Sequence, residues 1–275
     1  MFVMKYPIQT KYLTPRTKRR SGIPMNRVGF IVAHDTGNPG STALANISYY
    51  QNTCNSSSVS AHTFIDDTSV CECIPATTGK PEKAWHVLYD IPLDNQWFGG
   101  DANDIAIGVE LCYGEYRKNG IIRQKVNDSE AYKRYVWYIA YLCYLYHLLP
   151  EKHIVGHCDL DPQRKLDPTK NAFKRMNITW KQFIQDVNKE YQACTEKSNS
   201  SVPVHDESIV GDEKELKLAE WQFDMLVQAL EDLTQRGYLT DKAWVEKAKT
   251  KTLTQSELSF IMTIVLQRNL KGESK

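Results

Sequence analysis

The spacing of apolar residues changes repeatedly along this chain, and each change predicts a different element. In "RVGFIVAH" (27–34) a β-branched run stops at "DTGNPG", a turn rich in Asp, Gly, Asn and Pro. That pattern predicts a buried strand delivering His34 to a loop. Leu44, Ile47 and Tyr50, with Ala45 beside them, recur at helical intervals over 42–54, and "NSSS" closes the segment. "VSAHTFIDDTSVCECIP" (59–75) reads as two strands joined at Asp67-Thr68, a turn lacking the glycine typical of tight hairpins. Ile105, Ile107, Val109 and Leu111 alternate in "DIAIGVELCYG" (104–114), a strand on which Glu110 points opposite to Val109. A long helix from about 129 to 148 is predicted next, capped by Asn127-Asp128 and stopped by Pro150. "HIVGH" (153–157) reads as a short strand and "ITWKQFIQDVNKEY" (178–191) as a closing helix.

Short strands and helices mixed in this order predict an α/β layered domain with one central sheet, ending near Ala193. The pattern then breaks. Residues 195–208, "TEKSNSSVPVHDES", are polar, Ser-rich and carry Pro203, as a linker does. Beyond them Leu216, Ala219, Phe223, Leu226, Leu230 and Leu233 form one helical stripe. "TQSEL" (254–258) is a capping-box pattern before Leu258, Ile261, Met262, Val265 and Leu266. The expected plan is a domain at 1–194, a linker at 195–208, and a small all-α C-terminal domain at 209–275 with a short middle helix at 241–249.

Composition changes this picture little. Apolar residues make up 41% and charged residues 24% of 275, enough for a sizeable core and against wholesale disorder. A net charge of +1 gives no general argument for nucleic acid or an anionic membrane as partner. Seven cysteines without paired CxxC knuckles fit reduced thiols better than a disulfide framework. The N-terminal stretch lacks the apolar core of a secretory signal, and "YVWYIAYLCYLYHLL" (135–149) is too short to span a membrane, so it is expected to be a buried helix.

The chemistry concentrates in "VGHCDLDPQRKLDPT" (155–169). A hydrolytic zinc site needs about three protein ligands and an open position for water. His34 and His157 both close strands, and neighbouring strand ends can bring such side chains together. Cys158, Asp159, Asp161 and Asp167 compete to be the third ligand, and spacing alone does not choose among them. Asp161-Pro162 and Asp167-Pro168 also read as turn starters.

The succession "AHDTG", "VSAHTFID", "KAWHV", "DIAIGVEL" and "VGHCDLDPQRKLDP" resembles the zinc-dependent N-acetylmuramoyl-L-alanine amidases of the type-2 amidase family, relatives of the peptidoglycan recognition proteins. The resemblance covers roughly residues 27–190. It implies a central mixed β-sheet flanked by helices, Zn2+ as cofactor, and bacterial peptidoglycan as partner, with neither nucleic acid nor membrane. His34 and His157 match the two zinc histidines, and the form "GHxDxxPxRKxDP" selects Asp167 as the third ligand. Lys165 matches the catalytic lysine and Glu110 the catalytic glutamate; Arg164 is expected to support the loop. His62, Trp85 and His86 lie in motifs near the cleft, as substrate wall or support, and Asn38 is a further candidate contact. Val87-Leu88 replace the small residues that commonly follow the histidine of the "AWH" motif, so the groove there departs from the family.

An appended helical module suits an enzyme that must find a polymer, as in phage endolysins with a wall-binding domain. On that reading the protein is made in the host cytoplasm and reaches the wall through a holin lesion. Two alternatives stay open: a recognition module that binds muropeptides without cutting them, and a zinc peptidase acting within the stem peptide.

Overall fold

The computed structural model describes residues 2–196, 220–239, 241–254, 257, 258, 260–262, 264 and 265. Short β-branched and aromatic runs supply strands β1 (Ile8–Thr10), β2 (Phe30–Asp35), β3 (Thr63–Ile65), β4 (Val70–Glu72) and β5 (Ala106–Leu111). A hairpin of β6 (Glu115–Lys118) and β7 (Ile121–Lys125) precedes β8 (Ile154–Gly156). The sheet order is β1-β4-β3-β5-β2-β8, with the hairpin separate. The β3–β4 pair is antiparallel and the other adjacent pairs are parallel, so the sheet is mixed, as expected. The glycine-free turn between β3 and β4 is held by Asp66, whose Oδ1 accepts from the N–H and hydroxyl groups of Thr68 and Ser69.

Helices α1 (Ala43–Asn52), α2 (Pro92–Phe98), α3 (Ala102–Ile105), α4 (Asp128–Leu145), α5 (Pro150–His153) and α6 (His157–Leu160) connect the strands. A π turn at Thr169–Phe173 runs into α7 (Lys174–Met176), and α8 (Trp180–Glu196) closes the layer. Thr42 caps α1 by accepting from Ala45 N–H, and Asn127 caps α4 by accepting from Glu130 N–H. Helix α4 stops earlier than Pro150 would require. Tyr146 is its C-cap, and His147 takes a left-handed conformation at φ 55°. Pro150 instead opens α5, where its missing N–H costs nothing. Helix α8 runs on to Glu196, beyond the expected end at Tyr191.

Strand alternation divides the interior. On β2 and β5, Ile31, Ala33, Ile107 and Val109 join the large core, which also holds Trp137, Tyr138, Phe173 and Phe183. Phe30, Val32 and Ala106 face the other way, into a smaller cluster with Val87, Ile91, Ala102 and Ile105. His34 and Glu110 continue this second series at the C-terminal ends of the strands. Their Cα positions are paired in register.

The chain divides into two compact units, Met1–Pro203 and Val204–Lys275, a boundary inside the expected linker. Residues 197–208 of that linker, and Leu216, Ala219 and Leu266 of the expected stripes, lie outside the described residues. In the second unit, α9 (Glu220–Gln235) and α10 (Ala243–Lys249) pack Leu230, Val245 and Ala248 with Leu239, Leu253 and Ile261. Thr254 and Glu257 cap reciprocally: Thr254 N–H donates to the Glu257 carboxylate and Glu257 N–H to the Thr254 hydroxyl. Among the described residues no helix is long and apolar enough to cross a membrane.

Candidate metal centre and its groove

Three loops converge at the ends of β2, β5 and β8. β2 delivers His34, and β8 ends at Gly156 so that His157 opens α6. The loop beyond α6 folds back because Cys158 N–H donates to the Asp167 carbonyl at 2.8 Å. His34 Nδ1 and His157 Nδ1 then lie 3.0 and 3.1 Å from Asp167 Oδ2. One ligand atom from each of the three residues lies within 4.8 Å of the others. Two imidazoles and a carboxylate, nearly buried and leaving a fourth position, are a donor set that zinc accepts. Cys158 is turned away, its thiol 3.5 Å from the Thr169 hydroxyl.

The electrostatics suit a cation. Burial pushes the His34 imidazole down to about 4, and repulsion from His157 adds to it. Burial would raise Asp167, but the His157 and His34 rings set against its Oδ2 hold its carboxyl well below the usual range. Asp35, beside His34, is pushed up to about 6, mainly by burial and against the N–H groups of Ala172 and Gly37 that it accepts from.

Glu110 stands next to this cluster. Its Oε2 is buried and has no hydrogen-bond partner among the described residues. Burial, then repulsion from Asp167 and Asp35, raises its pKa well above the ordinary 4.5, against the pull of Lys165. Glu110 opens into a cavity of about 360 Å³ lined by Thr36, Asn38, Asn46, Tyr49 and Tyr50 among others. His157 of the cluster also borders a groove of about 470 Å³ lined by Val59, Trp85, Leu88, Tyr89 and Lys165 among others. Trp85 and Tyr89 pair there with ring centroids 5.8 Å apart. Arg164 is ion-paired with Asp161 within its own loop.

The expected site residues therefore fall into three groups. His34, His157, Asp167, Glu110 and Lys165 come together. Asn38 and Trp85 line the two cavities. His62 lies behind them, fully buried: its Nδ1 accepts from Gly108 N–H at 3.0 Å and its Nε2–H donates to the Glu82 carbonyl at 2.8 Å. His86 is buried at the groove floor, with Nδ1 3.0 Å from His34 Nε2 and Nε2 3.2 Å from the Ala106 carbonyl. Sequence reasoning missed Tyr89, which completes the aromatic wall, and Asn103. The Asn103 Oδ1 accepts from the N–H groups of His86 and Val87 and fixes that segment.

A family model described as N-acetylmuramoyl-L-alanine amidase matches residues 24–170, the span holding every residue of this cluster. The N-acetylmuramoyl-L-alanine amidase CwlA of Bacillus subtilis is 36% identical over 104 residues, which is 38% of this chain and 32% of that protein. The N-acetylmuramoyl-L-alanine amidase CwlL of Bacillus licheniformis is 31% identical over 144 residues, covering 51% of this chain and 36% of that protein. The chain thus spans about a third of the length of these curated relatives. The crystal structure of the Staphylococcus aureus hydrolase AmiA with its ligand superposes at a TM-score of 0.51 and 22% identity, over 70% of this chain and 88% of that one, a likeness of fold.

Proposed function

Because the chain belongs to the N-acetylmuramoyl-L-alanine amidase family, we propose that it hydrolyses the amide joining the lactyl group of N-acetylmuramic acid to L-alanine in bacterial peptidoglycan. One observation carries this reading: a compact His34, His157 and Asp167 donor set stands beside a buried carboxylate oxygen of Glu110 with no partner among the described residues. Zinc suits that donor set and, when bound, supplies a Lewis acid that makes water acidic near neutral pH and polarises a carbonyl.

The chain's own groups do the rest. Glu110 accepts a proton from the attacking water and passes it to the departing amine of L-alanine. A carboxylate raised by burial and by Asp167 is better matched to that transfer near neutrality than an ordinary glutamate. Lys165, on the groove wall, sets a positive charge where the carbonyl oxygen becomes negative. Trp85 forms an apolar platform for substrate with Tyr89, and Asn38 offers a polar contact in the cavity beside Glu110. His62 and His86 support this wall from behind. The helical unit from Val204 keeps the catalytic unit at an insoluble polymer by binding a second wall ligand. That arrangement suits a phage lysin that acts on the wall after a holin opens the membrane.

Digestion of purified peptidoglycan with and without a zinc chelator tests the reading, with mass spectrometry of the new ends. Chelator-sensitive release of L-alanine amino termini, without new reducing sugar ends, is expected. Cleavage inside the stem peptide, or tight binding without cleavage, overturns it.

A further inference from the structure

His86 belongs to the site for a reason other than substrate contact. Both of its ring nitrogens are occupied within the protein: Nε2 faces the Ala106 carbonyl at 3.2 Å and Nδ1 faces His34 Nε2 at 3.0 Å. A carbonyl oxygen can only accept, so His86 carries its proton on Nε2. A neutral imidazole carries one proton, so Nδ1 keeps a lone pair. The lone pair accepts, so His34 must donate from Nε2. A neutral His34 with its proton on Nε2 has its own lone pair at Nδ1, the nitrogen that lies 3.0 Å from Asp167 Oδ2 in the metal cluster. The direction of the whole chain is thus set at its far end, by a backbone carbonyl of β5.

We propose that His86 is a positioning residue: it fixes the Nε2–H tautomer and the ring orientation of His34, so that Nδ1 is the nitrogen offered to the metal. The rest of the fold serves this contact. Gly108 lies on β5 under the His86 ring, and a Cβ there would stand 2.6 Å from His86 Cγ and 2.7 Å from Nδ1, so only glycine lets the ring lie against the strand. His62 accepts from Gly108 N–H, and Asn103 accepts from His86 N–H, which fixes the strand below the ring and the backbone carrying it. The two rings His34 and His86 meet edge to face, with centroids 5.1 Å apart and planes at 86°. A partner that orients a metal-bound histidine typically changes metal affinity by about 10–100-fold when lost.

The inference rests on the zinc reading of the His34, His157 and Asp167 cluster, and its test needs no peptidoglycan. Zinc affinity of the full chain is measured by competition with a chromogenic chelator for the parent, His86→Leu and His86→Asn. Leucine and asparagine have similar shapes, but only asparagine has an oxygen that can accept from His34. The expected result is a loss of about 10–100-fold for His86→Leu, with His86→Asn much closer to the parent. Equal losses for the two variants would mean packing alone, and a folded His86→Leu with parental affinity would mean no role; either overturns the proposal. Long-range proton–nitrogen NMR of the zinc-loaded parent supplies a check that needs no variant. His34 should show a protonated Nε2 and an unprotonated Nδ1, and the reverse tautomer overturns the proposal. A parent that binds zinc with the expected tautomer but leaves peptidoglycan intact sinks the proposed function and leaves this one standing; a parent that binds no zinc removes the premise of both.

Discussion

Two carboxylates on neighbouring parts of the same sheet, Glu72 on β4 and Glu110 on β5, are enclosed in opposite ways. Glu72 is fully buried, and its oxygens accept from the N–H groups of Ala76 and Thr77 and from the hydroxyls of Thr77, Tyr12 and Tyr138. Those donors replace the water that burial removed. Glu110 receives no such compensation at Oε2, and two further acids, Asp167 and Asp35, stand close enough to repel it. A carboxylate supplied with donors holds a structure together, here tying β4 to α4 through Tyr138. One whose Oε2 is kept without donors beside a candidate metal cluster suits the proton transfer proposed for it.

Exchanging each acid for its amide or for alanine breaks the comparison most sharply. Glu110→Gln is expected to lower the rate of peptidoglycan hydrolysis by about 10²–10⁴-fold, the usual worth of a general base, while zinc stays bound; initial rates and zinc content measured on one preparation check it. An active Glu110→Gln enzyme would place the base elsewhere. Glu72→Ala should do the reverse. Each buried donor it strands costs about 1–3 kcal/mol, which lowers the melting temperature by roughly 2–4 °C per kcal/mol in a unit of this size. Hydrolysis per folded molecule, assayed well below that transition, should not change.

Much of the site was legible because strand alternation is a strict rule. It set His34 at a strand end and turned Glu110 away from the core side that takes Val109. Register was not legible: nothing along the chain says that His34 and Glu110 are paired across β2 and β5. Nor was the third member of the cluster, since Cys158 and Asp167 are separated by the backbone bond that folds their loop, not by spacing. β1 escaped notice because its three residues pair with Val70–Glu72 far along the chain. The β6–β7 hairpin did so because every residue of β7 is exposed and leaves no apolar alternation. The segment around His86 was read as substrate wall or support without a choice between them, because its partner atoms, the Ala106 carbonyl and the bare face of Gly108, lie on a later strand. A glycine inside an alternating strand was the available signal, since it marks a close approach.

The smallest expected effect concerns stability, and its sign follows from the same repulsion. Burial and the neighbouring acids raise the Glu110 pKa in the folded protein above the 4.5 of the unfolded chain, so the folded state holds this proton more tightly. Below about pH 4.5 both states are protonated and the site costs nothing. As the pH rises from there, the unfolded chain releases its proton first and stability falls, until the full penalty is reached above the folded pKa. A glutamine at 110 has no charge to desolvate. The metal-free Glu110→Gln protein should therefore melt higher than the parent at neutral pH, by roughly 2–4 °C for each kcal/mol of repulsion relieved. The advantage should shrink on acidification and vanish below about pH 4.5. Saturating zinc should also reduce it, because a cation in the cluster offsets the repulsion among the acids. Melting curves across pH, with and without zinc, check this. An advantage that grew as the pH fell would mean that the Glu110 carboxylate is stabilised in the fold, and the contrast with Glu72 would fail.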